Sequence, residues 1–124
     1  MKIIDKPQIW DLHIHTNQCP KGSSEFTTKY QNDTKGYVDK LLVTLNKNKK
    51  NPVSMISFTD HNYMAEEVYD EFNSRDSGIA LLPGVEIDFK NDLSKDFKHL
   101  IVYFDVDTKG EQFSKLCQDS NELL

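Results

Sequence analysis

The chain has 124 residues, the length of one domain and too short for a two-domain enzyme. Its 15 Lys+Arg against 20 Asp+Glu give a net charge of -5 and a pI near 5.3, so no global positive field draws nucleic acid or an anionic membrane, and any phosphate-bearing ligand must be held locally. Hydrophobic residues make up 37%, enough for a thin core, and no apolar run approaches the ~18 residues that a membrane span needs.

The N-terminal MKIIDKPQIW lacks the long apolar segment of a signal peptide, which points to the cytoplasm. The two cysteines, Cys19 and Cys117, form no CxxC and read as reduced thiols. The first predicted element is a strand over 8–16 (QIWDLHIHT). Side chains switch face at every residue of a strand, so Asp11, His13 and His15 are expected to point the same way. A polar loop over 17–34 separates it from a helix over 35–48, where Val38, Leu41, Leu42 and Leu45 recur at helical spacing. That helix ends in the solvated run NKNKKN before Pro52.

The apolar run VSMISF then reads as a buried strand leading into Thr59-Asp60-His61-Asn62. A second helix is predicted over 63–72, with Met64, Val68, Tyr69 and Phe72 at helical spacing and a turn over 73–78. Strands over 79–83, 85–89 and 99–104 follow, and a helix over 110–124 carries Phe113, Leu116 and Cys117 on one face. Strands alternating with helices give βα units, so the expected fold class is α/β with a mainly parallel sheet covered on both faces.

The four histidines carry most of the chemistry. His13, His15 and His61 stand at or just after strand ends, where sites gather in βα architectures. His99 begins a strand, and it joins them only if that strand starts later or bends. Two imidazoles on one strand face are about 6.5–7 Å apart at the backbone, a span that one metal ion bridges through Nε2 ligands at about 2.0–2.1 Å. Asp11 is a candidate acceptor to orient one of those rings. Glu86 lies inside the apolar run ALLPGVEIDF, where a carboxylate is costly unless it is paired or metal-bound, and Gly84 beside it permits close backbone approach. Taken singly, these features also fit a polar strand face, a plain turn, a salt bridge and a rim histidine. Taken together, a mixed set of imidazoles and carboxylate suits Zn, Mn or Fe better than Mg or Ca.

In order and approximate spacing, DLHIHT, ISFTDHN, LPGVEID and HLIVYF resemble the first four motifs of the PHP (polymerase and histidinol phosphatase) family of metal-dependent phosphoesterases, over residues 11–104. The resemblance implies a distorted (β/α)7 barrel holding two or three divalent ions, usually Zn, Mn or Fe. It implies that His13 and His15 are paired ligands of one ion and that His61 is a ligand supported by Asp60. Glu86 would bridge two ions, and His99 would bind the second. The implied activity is hydrolysis of a phosphomonoester or nucleic-acid phosphodiester by a metal-activated water. Asp60, His61 and Glu86 would be catalytic, and Lys21, Ser23 and Ser24 are loop candidates for phosphate contact.

The chain also departs from the family. PHP relatives carry further ligands later in the sequence, a His or Cys and then an Asp-x-His, whereas no histidine follows His99 here. Cys117 is the candidate substitute there; the loop NQCPKGSSEF after His15 also lacks the His or Asp ligand of the family, with Cys19 as its candidate substitute. A complete barrel needs on the order of 250 residues by analogy with the eight-stranded form, so this chain corresponds to about half of one. The expectation is a single, incomplete PHP domain completed by further chain or by a partner, as in PHP modules fused to SMC-like or AAA-like ATPases. The competing expectation is a non-catalytic, metal-binding structural module that serves as an interaction domain of a larger protein.

Overall fold

A computed structural model describes residues 8–20, 28–48, 50–90, 97–107, 111, 112 and 115. Lys21, Ser23, Ser24 and Cys117 lie outside the described residues, as does most of the expected C-terminal helix. The elements in chain order are β1 (Ile9–Ile14), α1 (Thr34–Leu45), β2 (Val53–Phe58), α2 (Glu66–Asn73), β3 (Ala80–Leu81), β4 (Gly84–Lys90) and β5 (Phe97–Tyr103). The chain is therefore mixed α/β, with a parallel three-stranded sheet ordered β1-β2-β3 and a separate two-stranded sheet β4-β5.

Each helix follows from a short set of local choices. At α1, Asp33 caps the first turn by accepting the Gly36 N–H at 2.9 Å, and Tyr37, Val38, Leu41 and Leu45 form one buried stripe. The helix stops at Leu45 because the following Asn/Lys run has nothing apolar to bury. The second helix begins at Glu66, three residues later than its apolar spacing predicts. Asn62, just upstream, adopts a left-handed backbone with φ 51°, which asparagine tolerates better than most residues and which interrupts any helix there. Glu66 and Glu67 then place acidic groups in the first turn, where the helix dipole favours them.

Val68, Tyr69 and Phe72 of α2 meet Tyr37, Val38, Leu41 and Leu45 of α1 and Ile56 and Phe58 of β2 in the main core. Phe58 stacks edge-on against both Tyr69 and Phe72, with ring centroids 5.3 and 5.7 Å away. Val85 and Ile87 of β4 form a smaller cluster with Met64, Val102 and Phe104.

The expectation of a mainly parallel arrangement is corrected at β4 and β5, which pair antiparallel from Gly84↔Tyr103 to Lys90↔Phe97. Six residues separate these strands, and a parallel pair needs a crossover of about a dozen or more. The antiparallel return is what brings His99 into play, because it places His99 directly opposite Asp88. A second correction concerns β1. Asp11 pairs with Ile56 and Ile14 with Phe58, so three steps along β1 match two along β2. This irregularity breaks the strict alternation that put Asp11 on the same face as His13 and His15. Among the described residues, no helix is long and apolar enough to cross a membrane.

Gly84 is where the two sheets approach. A Cβ there would lie 2.6 Å from Ser57 Oγ and 2.9 Å from Thr59 Cγ2, so the close approach read from the sequence is real. Gly84→Ala is expected to destabilise the fold by about 1–3 kcal/mol through overpacking. Urea denaturation should show a lower midpoint with an unchanged slope.

Candidate metal centre

Three segments build the site: the end of β1 with His13 and His15, the stretch Thr59-Asp60-His61 after β2, and the facing pair β4 and β5. Backbone bonds lock them together. Thr59 N–H donates to the Ile14 carbonyl at 2.8 Å, and Glu86 N–H donates to the Asp60 carbonyl at 3.0 Å. Asn62 N–H donates to the Glu86 carbonyl at 2.9 Å, while its side-chain oxygen accepts the Asp88 N–H at 3.1 Å. The left-handed turn at Asn62 thus clamps the middle of β4 against His61.

Three tyrosines anchor the same region through their hydroxyls. Tyr37 of α1 donates to the His15 carbonyl at 3.0 Å, Tyr69 of α2 to the Phe58 carbonyl at 2.6 Å, and Tyr103 of β5 to the Leu12 carbonyl at 2.7 Å. Tyr69 also accepts the Gly84 N–H at 3.2 Å. Burial holds the Tyr37 and Tyr69 phenols well above their ordinary range, so both remain neutral donors.

Glu86 is the hub. Its Oε2 lies 2.7 Å from His15 Nε2, 3.4 Å from His61 Nε2 and 4.0 Å from His13 Nε2, and its Oε1 lies 3.4 Å from His99 Nδ1. The carboxylate is 9% exposed, whereas His13 and His99 are 49% and 51% exposed, so the centre has a buried floor and an open rim. The rings cluster accordingly, with centroids 5.0 Å apart for His13 and His15, 4.6 Å for His15 and His61, and 6.0 Å for His61 and His99. All four histidines and Glu86 lie together, His99 among them.

The donor atoms fall into three sets able to hold an ion: His13, His15 and Glu86; His61, Glu86, Asp88 and His99; and His15, Cys19 and His61. Glu86 belongs to the first two. Two donors of a tetrahedral ion at about 2.0–2.1 Å stand roughly 3.4 Å apart. The His61–Glu86 separation of 3.4 Å matches that span, while the 2.7 Å His15–Glu86 contact is a direct hydrogen bond that an ion would replace. The donor set therefore fits divalent ions that accept imidazole and carboxylate together.

Two expected roles move to other residues. Asp60 does not contact the His61 ring; its carboxylate is buried and accepts the Thr16 N–H at 2.7 Å and the Thr16 hydroxyl at 2.6 Å. Burial raises this carboxyl above the usual range, with the Thr16 donors opposing the shift. Cys19, also buried, adds a further hydrogen bond to Asp60. Asp11 does not orient an imidazole either. It accepts the His13 backbone N–H at 3.4 Å, and the partner of His13 Nδ1 is Thr59 Oγ1 at 2.8 Å.

The residue that sequence reasoning passed over is Asp88. Its Oδ2 lies 2.6 Å from His61 Nδ1 and its Oδ1 lies 2.5 Å from His99 Nδ1. The signal was present, since Asp88 follows Glu86 by two and shares its strand face, with Val85 and Ile87 turned to the other. No protein-family model matches the chain, and no curated protein matches it.

Thr16→Val is expected to cost about 1.5–3 kcal/mol, because it removes a hydroxyl donor from a buried carboxylate while preserving shape. Thermal and chemical unfolding of the variant measure this loss.

Proposed function

We propose that the protein is a metal-dependent phosphoesterase of the PHP type, and that its described residues belong to the distorted barrel of that family. The observation that carries this reading is Glu86, a buried carboxylate whose Oε2 faces His13, His15 and His61 and whose Oε1 faces His99, beneath an exposed rim. Structural zinc sites are closed by their protein ligands, whereas catalytic sites keep a position open to solvent or substrate. Half-exposed His13 and His99 leave such an opening.

Divalent ions in this centre would supply Lewis-acid polarisation, a lowered pKa for bound water and positive charge for a phosphate group. The chain's own residues do the placing. Thr59 holds the His13 ring through Nδ1 and leaves Nε2 toward Glu86. Thr16 and Asp60 lock the backbone that follows His15, and Tyr37 fixes the His15 carbonyl. Glu86 keeps the two donor sets at one carboxylate's distance. Lys21, Ser23 and Ser24, which follow the buried Cys19 in sequence, are the proposed phosphate contacts, and the substrate is a phosphomonoester or a nucleic-acid phosphodiester.

The test pairs metal content with turnover. Purified protein loaded with Mn or Zn should hydrolyse p-nitrophenyl phosphate or its bis-ester, and Glu86→Gln should lower turnover and metal affinity at least ~100-fold while leaving circular dichroism unchanged. Metal uptake without turnover of either ester would instead mark a non-catalytic metal-binding module.

A further inference from the structure

Asp88 is buried on β4, and each of its carboxylate oxygens faces a histidine nitrogen. The His61 ring spans two carboxylates: Nδ1 is 2.6 Å from Asp88 Oδ2, and Nε2 is 3.4 Å from Glu86 Oε2. An ionised carboxylate is an acceptor only, so with Asp88 ionised the short contact places a proton on His61 Nδ1. In the neutral ring the opposite nitrogen then carries a bare lone pair on the side of Glu86. At 12% exposure the His61 ring has little room to turn over, and the Asn62 clamp on the Asp88 N–H fixes the strand behind it.

We propose that Asp88 is a positioning residue that sets the tautomer and tilt of His61, committing Nε2 to the centre at Glu86. The inference rests on reading the cluster as a divalent-metal centre. Without Asp88, the ring is free to protonate Nε2, the form that neutral imidazole prefers in water, and that form cannot ligate an ion through Nε2. The second oxygen of Asp88 restrains His99 through Nδ1, so one carboxylate tethers histidines from two different segments. Carboxylate partners of this kind are worth about 10–100-fold in metal affinity.

Nitrogen-15 NMR of the histidine side chains in the metal-free protein, at a pH where the rings are neutral, reads the tautomer directly. His61 is expected to carry its proton on Nδ1, and to keep it there when zinc is added. Asp88→Ala should move that proton to Nε2 and weaken zinc binding about 10–100-fold. His61 protonated at Nε2 in the wild-type protein, His61 bound to zinc through Nδ1, or undiminished zinc affinity in a folded Asp88→Ala variant would each overturn the proposal. The wild-type spectrum decides the matter even if the variant fails to fold. A wild-type protein that shows the Nδ1 proton yet takes up no zinc, manganese or iron would overturn the metal-centre reading, and with it the task assigned to Asp88.

Discussion

Everything in the site depends on burying one carboxylate among imidazoles. An ionised Glu86 at 9% exposure is costly unless compensated, and it meets nitrogens of His13, His15, His61 and His99 within 4.0 Å. Neutral imidazoles compensate only as far as they donate hydrogen bonds. Four of them around one carboxylate, with the buried Asp88 two residues on, form a place where positive charge is wanted. That demand is what a divalent ion in the proposed centre would meet.

The scaffold serves that constraint. Parallel pairing of β1 with β2 brings their ends together, and the bond from Thr59 to Ile14 extends the contact to the first residues beyond β2. Gly84 lets β4 approach that end closely, and its partner β5 returns His99 to the same mouth. Tyrosines from both helices reach across to strand-end carbonyls, so packing of the helical core and placement of the ligands are coupled.

Much of this was legible in the sequence, because apolar periodicity marks both helices and the strand VSMISF, and strand-end histidines mark the site. The misreadings have specific physical causes. The second helix starts late because Ala65, with ψ 77°, is still outside helical backbone geometry, which residue spacing alone does not reveal. Asp11 drops out because β1 is irregular in register between Asp11 and Ile14, which shifts the alternation. Asp60 looked like a support for His61 by adjacency, yet neighbouring residues in an extended segment point apart, and its carboxylate turns to Thr16 instead. The antiparallel pairing of β4 and β5 and the part played by Asp88 were both readable, the first from loop length and the second from the two-residue period.

The central claim is that Glu86 is shared between two ions. Anomalous diffraction at the metal edge, from crystals grown with manganese or zinc, measures this most directly. The predicted result is two peaks flanking the Glu86 carboxylate, one with His13 and His15 and the other with His99, and loss of the direct His15–Glu86 hydrogen bond. A single peak, or an intact His15–Glu86 contact with no peak beside it, would contradict the claim.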